Sequence, residues 1–177
     1  MQNMTFDLKK ILVLMPVLFF LNCAAFPDPV TSKNRNKLKI EEKRIRLTFT
    51  GFYRYESEKE IIFDYIKKQG LIEDQSASSS LEVILQKKDP KYQYPFLHKV
   101  QFLLTFFSGG IFPSHIRTEQ SLTFRYSRSD EILFENEYSV GMDQWRGIPV
   151  VILMITNWPN RIYKEQLLEV TKLEMTQ

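Results

Sequence analysis

The chain has 177 residues, 44% of them hydrophobic and 14% aromatic, which is enough for one compact core, hardly for two, and too apolar for wholesale disorder. Its 24 Lys and Arg face 21 Asp and Glu and are scattered among them, so the formal charge of +3 argues against electrostatic binding of nucleic acid. A single cysteine excludes an internal disulfide framework and any cysteine-built zinc site.

Lys9 and Lys10 precede an apolar run from Ile11 to Leu21, broken by Pro16, and the run stops at Asn22, Cys23, Ala24 and Ala25. This is the pattern of a signal peptide over residues 1–22. The run is about half of the ~20 residues a helix needs to cross a hydrocarbon core, which disfavours a retained transmembrane helix. The cysteine stands directly behind it. As a thiolate it can accept a diacylglyceryl group, and cleavage then frees its amine for a further acyl chain.

The string Phe20-Leu21-Asn22-Cys23 resembles the lipobox of bacterial lipoproteins, and the resemblance covers roughly residues 5–25. Phe20 replaces the usual Leu-like residue and Asn22 the usual Gly, Ala or Ser, so the string looks like the looser spirochaetal variants. The resemblance implies acylation of Cys23 with palmitate-type chains, a membrane-lipid partner reached through that residue, and a place in the bacterial cell envelope. Ala24 and Ala25, where an inner-membrane retention signal would carry Asp, favour the outer membrane by similarity to enteric lipoproteins. The alternative is an incidental cysteine behind an uncleaved or conventionally cleaved signal peptide.

Residues 23–43 hold Pro27, Pro29, Thr31, Ser32, Asn34 and Asn36 with few apolar side chains, a composition that predicts a flexible tether. Lys33, Arg35, Lys37, Lys39, Lys43 and Arg44 either lie against anionic head groups or keep the linker extended in solvent.

From residue 44 to 177 a single α+β domain is expected. Ile45, Leu47 and Phe49 alternate with polar residues and predict a strand over about 44–53. Ser57 and Glu60 form a capping-box pattern, and Ile61, Ile62, Tyr65 and Ile66 keep helical spacing up to a stop at Gly70. Glu73 to Ser80 reads as a loop, and Leu81, Val83 and Leu85 as a second strand. Leu122, Phe124 and Tyr126 are expected to face Phe134 and Ile132 across a hairpin turned at Arg128, Ser129 and Asp130, with Arg125 and Glu135 on the wet side. Pro159 then opens a terminal amphipathic helix carrying Tyr163, Leu167, Val170 and Leu173. The order predicts a mostly antiparallel sheet of about four strands with two helices packed on one face.

Two segments exceed what a half-exposed strand needs. Leu97 to Pro113 includes Phe102, Phe106, Phe107, Ile111 and Phe112, and Ile148 to Ile155 includes Val151 and Leu153 between Trp145 and Trp158. They are either buried core or a surface presented to lipid or to an envelope protein partner, with the tryptophans at the membrane–water boundary.

Sites of chemistry are scarce. His98 and His115 flank the Phe-rich segment outside any metal-binding motif, so neither a metal nor a cofactor is expected. Glu135 and Glu137 point the same way on a strand, as paired carboxylates must, but an adjacent arginine lowers rather than raises a carboxyl pKa. Tyr92, Tyr94 and Phe96 form an aromatic ladder able to stack on sugar rings, or an ordinary edge strand or loop. The expectation is a lipid-anchored envelope protein with a binding or assembly role and no catalysis. The competing classes are an envelope hydrolase of glycan or lipid and a purely structural lipoprotein.

Overall fold

The computed structural model describes residues 23–33, 40, 42–129 and 131–176. The signal-peptide region with Phe20, Leu21 and Asn22, the tether residues Arg35, Lys37 and Lys39, and Asp130 of the expected turn lie outside the described residues.

The described strands are β1 (Cys23–Pro27), β2 (Thr31–Ser32), β3 (Arg44–Thr50), β4 (Ile72–Glu73), β5 (Ser79–Lys88), β6 (Ser114–Arg128) and β7 (Glu131–Arg146). The described helices are α1 (Glu56–Lys68), α2 (Pro95–Phe107), the single turn α3 (Val151–Met154) and α4 (Pro159–Met175). The strands form one mixed sheet in the order β1-β7-β6-β5-β3-β4, with β2 also on β7. The contacts group the chain into two compact units, one made of the described residues of Met1–Phe26 with Lys91–Arg117 and Asp143–Pro159, the other of Pro27–Pro90, Thr118–Met142 and Asn160–Gln177.

This corrects the expectation of four mostly antiparallel strands and two helices. Alternation does place Ile45 and Leu47 of β3 and Leu81, Val83 and Leu85 of β5 in the core. But α1 carries the chain back across the sheet, so β3 and β5 pair in parallel, Leu47 opposite Leu81 and Phe49 opposite Val83. Ile72 and Glu73, the latter the first residue of the expected loop, add a short parallel edge beside Arg44 and Ile45. Part of the expected tether is also strand. Ala24 and Ala25 of β1 are fully buried, and Thr31 and Ser32 of β2 pair with Ser139 and Tyr138.

In the second unit, β5 and β6 are antiparallel, with Leu81 opposite Tyr126, Val83 opposite Phe124 and Leu85 opposite Leu122. Tyr126 stacks on Phe134 at 5.2 Å rather than facing Ile132, which is exposed. Arg125 donates to Glu135 at 2.8 Å, so these two share the wet side. Ser129 takes the left-handed backbone (φ 50°) that glycine usually supplies in such a turn.

Helices α1 and α4 lie on the same face of this unit's sheet. Phe63 of α1 meets Phe49 edge-on at 6.2 Å, and α4 buries Ile162, Tyr163, Leu167 and Val170. Burial of each such aliphatic side chain contributes about 2 kcal/mol before entropy is counted. Tyr163 donates its hydroxyl to Gln120, which donates in turn to Tyr55 at 3.1 Å. Farther along α4, the buried Glu174 accepts from Asn136 at 2.9 Å and from the Tyr138 hydroxyl. Burial pushes the Glu174 carboxyl up, against the pull of these two donors.

Two glycines are required by close approach. Gly51 ends β3 at φ +86°, where an added Cβ would stand 2.0 Å from the Leu85 carbonyl oxygen. At Gly141 a Cβ would stand 2.6 Å from Asp28 Oδ2, and Gln166 closes this crossing by donating to the carbonyls of both Asp28 (3.0 Å) and Gly141 (2.9 Å).

Candidate functional site

Both apolar segments belong to the first unit, and both are helical. Pro95 suits the first position of α2, where a missing N–H costs nothing, and Gly109 and Gly110 adopt left-handed backbone just past its end. Gly110 N–H donates to the Thr105 carbonyl at 2.9 Å. The Gly110 carbonyl then accepts from Ile148 N–H at 2.9 Å, tying the turn after α2 to the segment that becomes α3.

Thr105 is the buried residue of α2, and its hydroxyl donates back to the Gln101 carbonyl. Phe102, Phe106 and Phe107 of α2 are exposed, Phe106 to 69% and Phe107 to 80%, as are Ile111 and Phe112 in the turn beyond it. Val151 and Leu153 of α3 and Trp158 after it are exposed as well, and Ile152 is 77% exposed. Apart from Val150, which is buried, these side chains do not build a core. Trp145 is the exception among the predicted contact residues, being half-buried on β7 with its ring 5.1 Å from His115.

Cys23 begins β1 in the same unit. Its backbone N–H points at Met154 Sδ of α3 at 3.2 Å, and its thiol lies 3.6 Å from Gln144 Oε1. Burial pushes this thiol up, opposed by the Arg146 guanidinium. Among the described residues no helix is long and apolar enough to cross a membrane, and no group of three or more metal-ligating side chains is present.

A cleft of about 350 Å³ opens beside the first turn of α2, lined by Tyr92, Tyr94, His98, His115, Arg117 and Asp143 among others. Tyr92 stacks on His98 at 4.0 Å, and its hydroxyl accepts from Arg117 N–H at 3.1 Å. Asp143 Oδ1 is shared by His115 Nε2 at 2.9 Å and Arg117 Nη1 at 3.1 Å. The two imidazoles do approach, at 6.3 Å between centroids. His98 Nδ1 is buried without a partner, and burial, helped by His115, holds His98 below the usual imidazole range. Of the aromatic ladder, Tyr92 joins this cluster while Tyr94 and Phe96, at the start of a helix rather than on a strand, stay exposed.

Glu135 and Glu137 lie in the second unit. Arg125 pairs with Glu135 and Glu82, whereas Lys88 and Lys33 pair with Glu137 and hold its carboxyl below the usual range. A general acid needs the opposite shift.

No protein-family model matches the chain, and no curated protein is significantly similar to it. Among solved structures it is similar to a minor lipoprotein from Acinetobacter baumannii, at 8% identity and a TM-score of 0.45 over 76% of this chain and 89% of that one. It is also similar to the rare lipoprotein B from Shewanella oneidensis, at 10% identity and 0.42 over 75% and 91%. A PelC dodecamer from Paraburkholderia phytofirmans gives 11% and 0.38 over 86% and 100%. These are partial likenesses of backbone.

The exposed apolar side chains of α2 and α3 were legible in the sequence as two apolar segments. The Arg117–Asp143 pair was not, because two charged residues 26 positions apart on different strands carry no local signal.

Proposed function

We propose that the chain is a bacterial envelope lipoprotein, acylated at Cys23, that uses the exposed face of α2 and α3 to bind the surface of the bilayer holding its anchor. The observation that carries this reading is the placement of Cys23 and the exposed Phe106, Phe107, Ile152 and Ile155 in one compact unit, with the Cys23 backbone against Met154. The binding partner is membrane lipid, reached first through the acyl chains and then through this face, and an envelope protein is the alternative occupant. Two or three acyl chains on one residue hold a protein stably at a membrane where one chain binds marginally. The role is attachment and assembly at the membrane, with no catalytic step assigned. The outer membrane is the proposed location, from the Ala24-Ala25 pair.

Mass spectrometry of the chain purified from bacterial membranes tests the anchor. A mature N-terminus at Cys23 carrying the mass of acyl chains is expected, and an intact Met1 or a free thiol would overturn it. Vesicle binding by the mature chain, residues 23–177, carrying Cys23→Ala tests the apolar face separately from both the acyl chains and the apolar run Ile11–Leu21. Binding is expected to persist, weakened, whereas a purely structural lipoprotein deprived of its acyl chains would not bind.

A further inference from the structure

We propose that the cleft beside α2 binds a neutral hexopyranose unit of a saccharide, with the exposed ring of Tyr94 as its stacking platform and Asp143 as its principal hydroxyl acceptor. The inference does not depend on acylation of Cys23 or on membrane contact, and no catalytic step is attached to it.

Two observations converge on it. The first is preorganisation. Asp143 is fixed by two donors on Oδ1, while no described residue donates to its Oδ2, and Tyr92 is fixed by His98 on its face and Arg117 N–H at its hydroxyl. Groups held in this way lose little freedom on binding. The second is the lining itself. Tyr94 is 61% exposed and has no ring partner among the described residues, and Gln93 beside it offers an amide donor and an amide acceptor. The volume of about 350 Å³ falls in the range of small-molecule clefts.

The charge balance separates this ligand from a phosphate. Lys91 and Arg117 line the cleft, but Arg117 is already paired with Asp143 and the free oxygen of that carboxylate would repel an anion. The same oxygen is a good acceptor for a hydroxyl. An aromatic face presented to the C–H side of a pyranose then contributes contact area without requiring charge.

Calorimetric titration of the full chain with cellotriose and with chitotriose, set beside inorganic phosphate and glycerol 3-phosphate, tests the proposal. Saturable binding of at least one trisaccharide is expected. Tyr94→Ala should weaken it about tenfold, the equivalent of one lost stacking contact, and because Tyr94 is exposed this variant should fold normally. Asp143→Asn, which keeps the shape and removes the charge, should weaken it too. Absence of binding by both trisaccharides overturns the assignment, as does binding that Tyr94→Ala leaves unchanged. Preferential binding of either phosphate would instead make the cleft an anion site.

Discussion

The apolar face of α2 makes a quantitative prediction. Replacing Phe106 and Phe107 by Ser in the mature Cys23→Ala chain removes two rings that are 69% and 80% exposed and whose loss leaves no cavity in a core. Full transfer of a Phe side chain out of water is worth about 2 kcal/mol, so scaling by the exposed fractions gives about 3 kcal/mol for the pair. Partitioning onto vesicles should therefore fall about a hundredfold. Cosedimentation with phosphatidylethanolamine–phosphatidylglycerol vesicles measures it, and the thermal midpoint should remain within a degree or two of the parent, about the scatter expected of surface changes. Tyr53→Ser, equally exposed but in the second unit, serves as the control and should leave partitioning unchanged. Unaltered partitioning of the double variant, or an equal loss in the control, would refute membrane contact by this helix. The Cys23→Ala background is needed because acyl chains would mask the effect.

Other perturbations probe the fold that presents this face. Gly51→Ala should destabilise by about 3 kcal/mol in urea unfolding, since left-handed backbone and a collision with the Leu85 carbonyl add together, whereas Gly70→Ala, strained but in open space, should cost about 1 kcal/mol. Glu174→Gln should stabilise at pH 7 and flatten the pH dependence of unfolding. The carboxyl is raised in the folded state, so the native protein binds more protons and loses stability as pH rises from the unfolded value of about 4.3 towards the folded one. Greater stability of the parent than of the variant at pH 7 would contradict that sign. For His98 the shift is downward, so its contribution is intact above the unfolded value of about 6.5 and is lost as pH falls towards the folded one. Thermal melts from pH 7 to pH 5 should accordingly drop less in His98→Phe than in the parent.

The elements read correctly from the sequence are those whose signal is local. β3, β5 and α4 follow from periods of two and 3.6 residues, and α1 stops before Gly70 at φ +88° as its spacing suggests. Even there the capping box fails, because Tyr55 occupies the N-cap and the Ser57 hydroxyl turns to Glu58. β1 and β2 were illegible because Ala24, Ala25, Thr31 and Ser32 have little pattern of their own, and their pairing with β7 is made across more than a hundred positions. The parallel pairing of β3 with β5 was missed for a different reason. The strand–helix–strand order is the crossover that parallel pairing needs, but the run of later strands without helices between them favoured an antiparallel reading of the whole sheet. α2 went unread because its leucines and phenylalanines crowd the segment without marking a buried face, Thr105 being the buried residue of the helix. Of the candidate sites, the crowding of phenylalanines was plain in the sequence, and the cleft needed residues from α2, β6 and β7 to be brought together.

The position of Cys23 inside β1 bears on the order of events during biogenesis. Its neighbours Ala24 and Ala25 are sealed in the sheet, and its own thiol is half-buried, with burial pushing its pKa up. For the proposed acylation, a transferase and a peptidase acting at this residue would need it extended and accessible, so modification would have to outrun the docking of the first strand. Precursor molecules that complete β1 too early would become poor substrates, and delayed folding would serve maturation here.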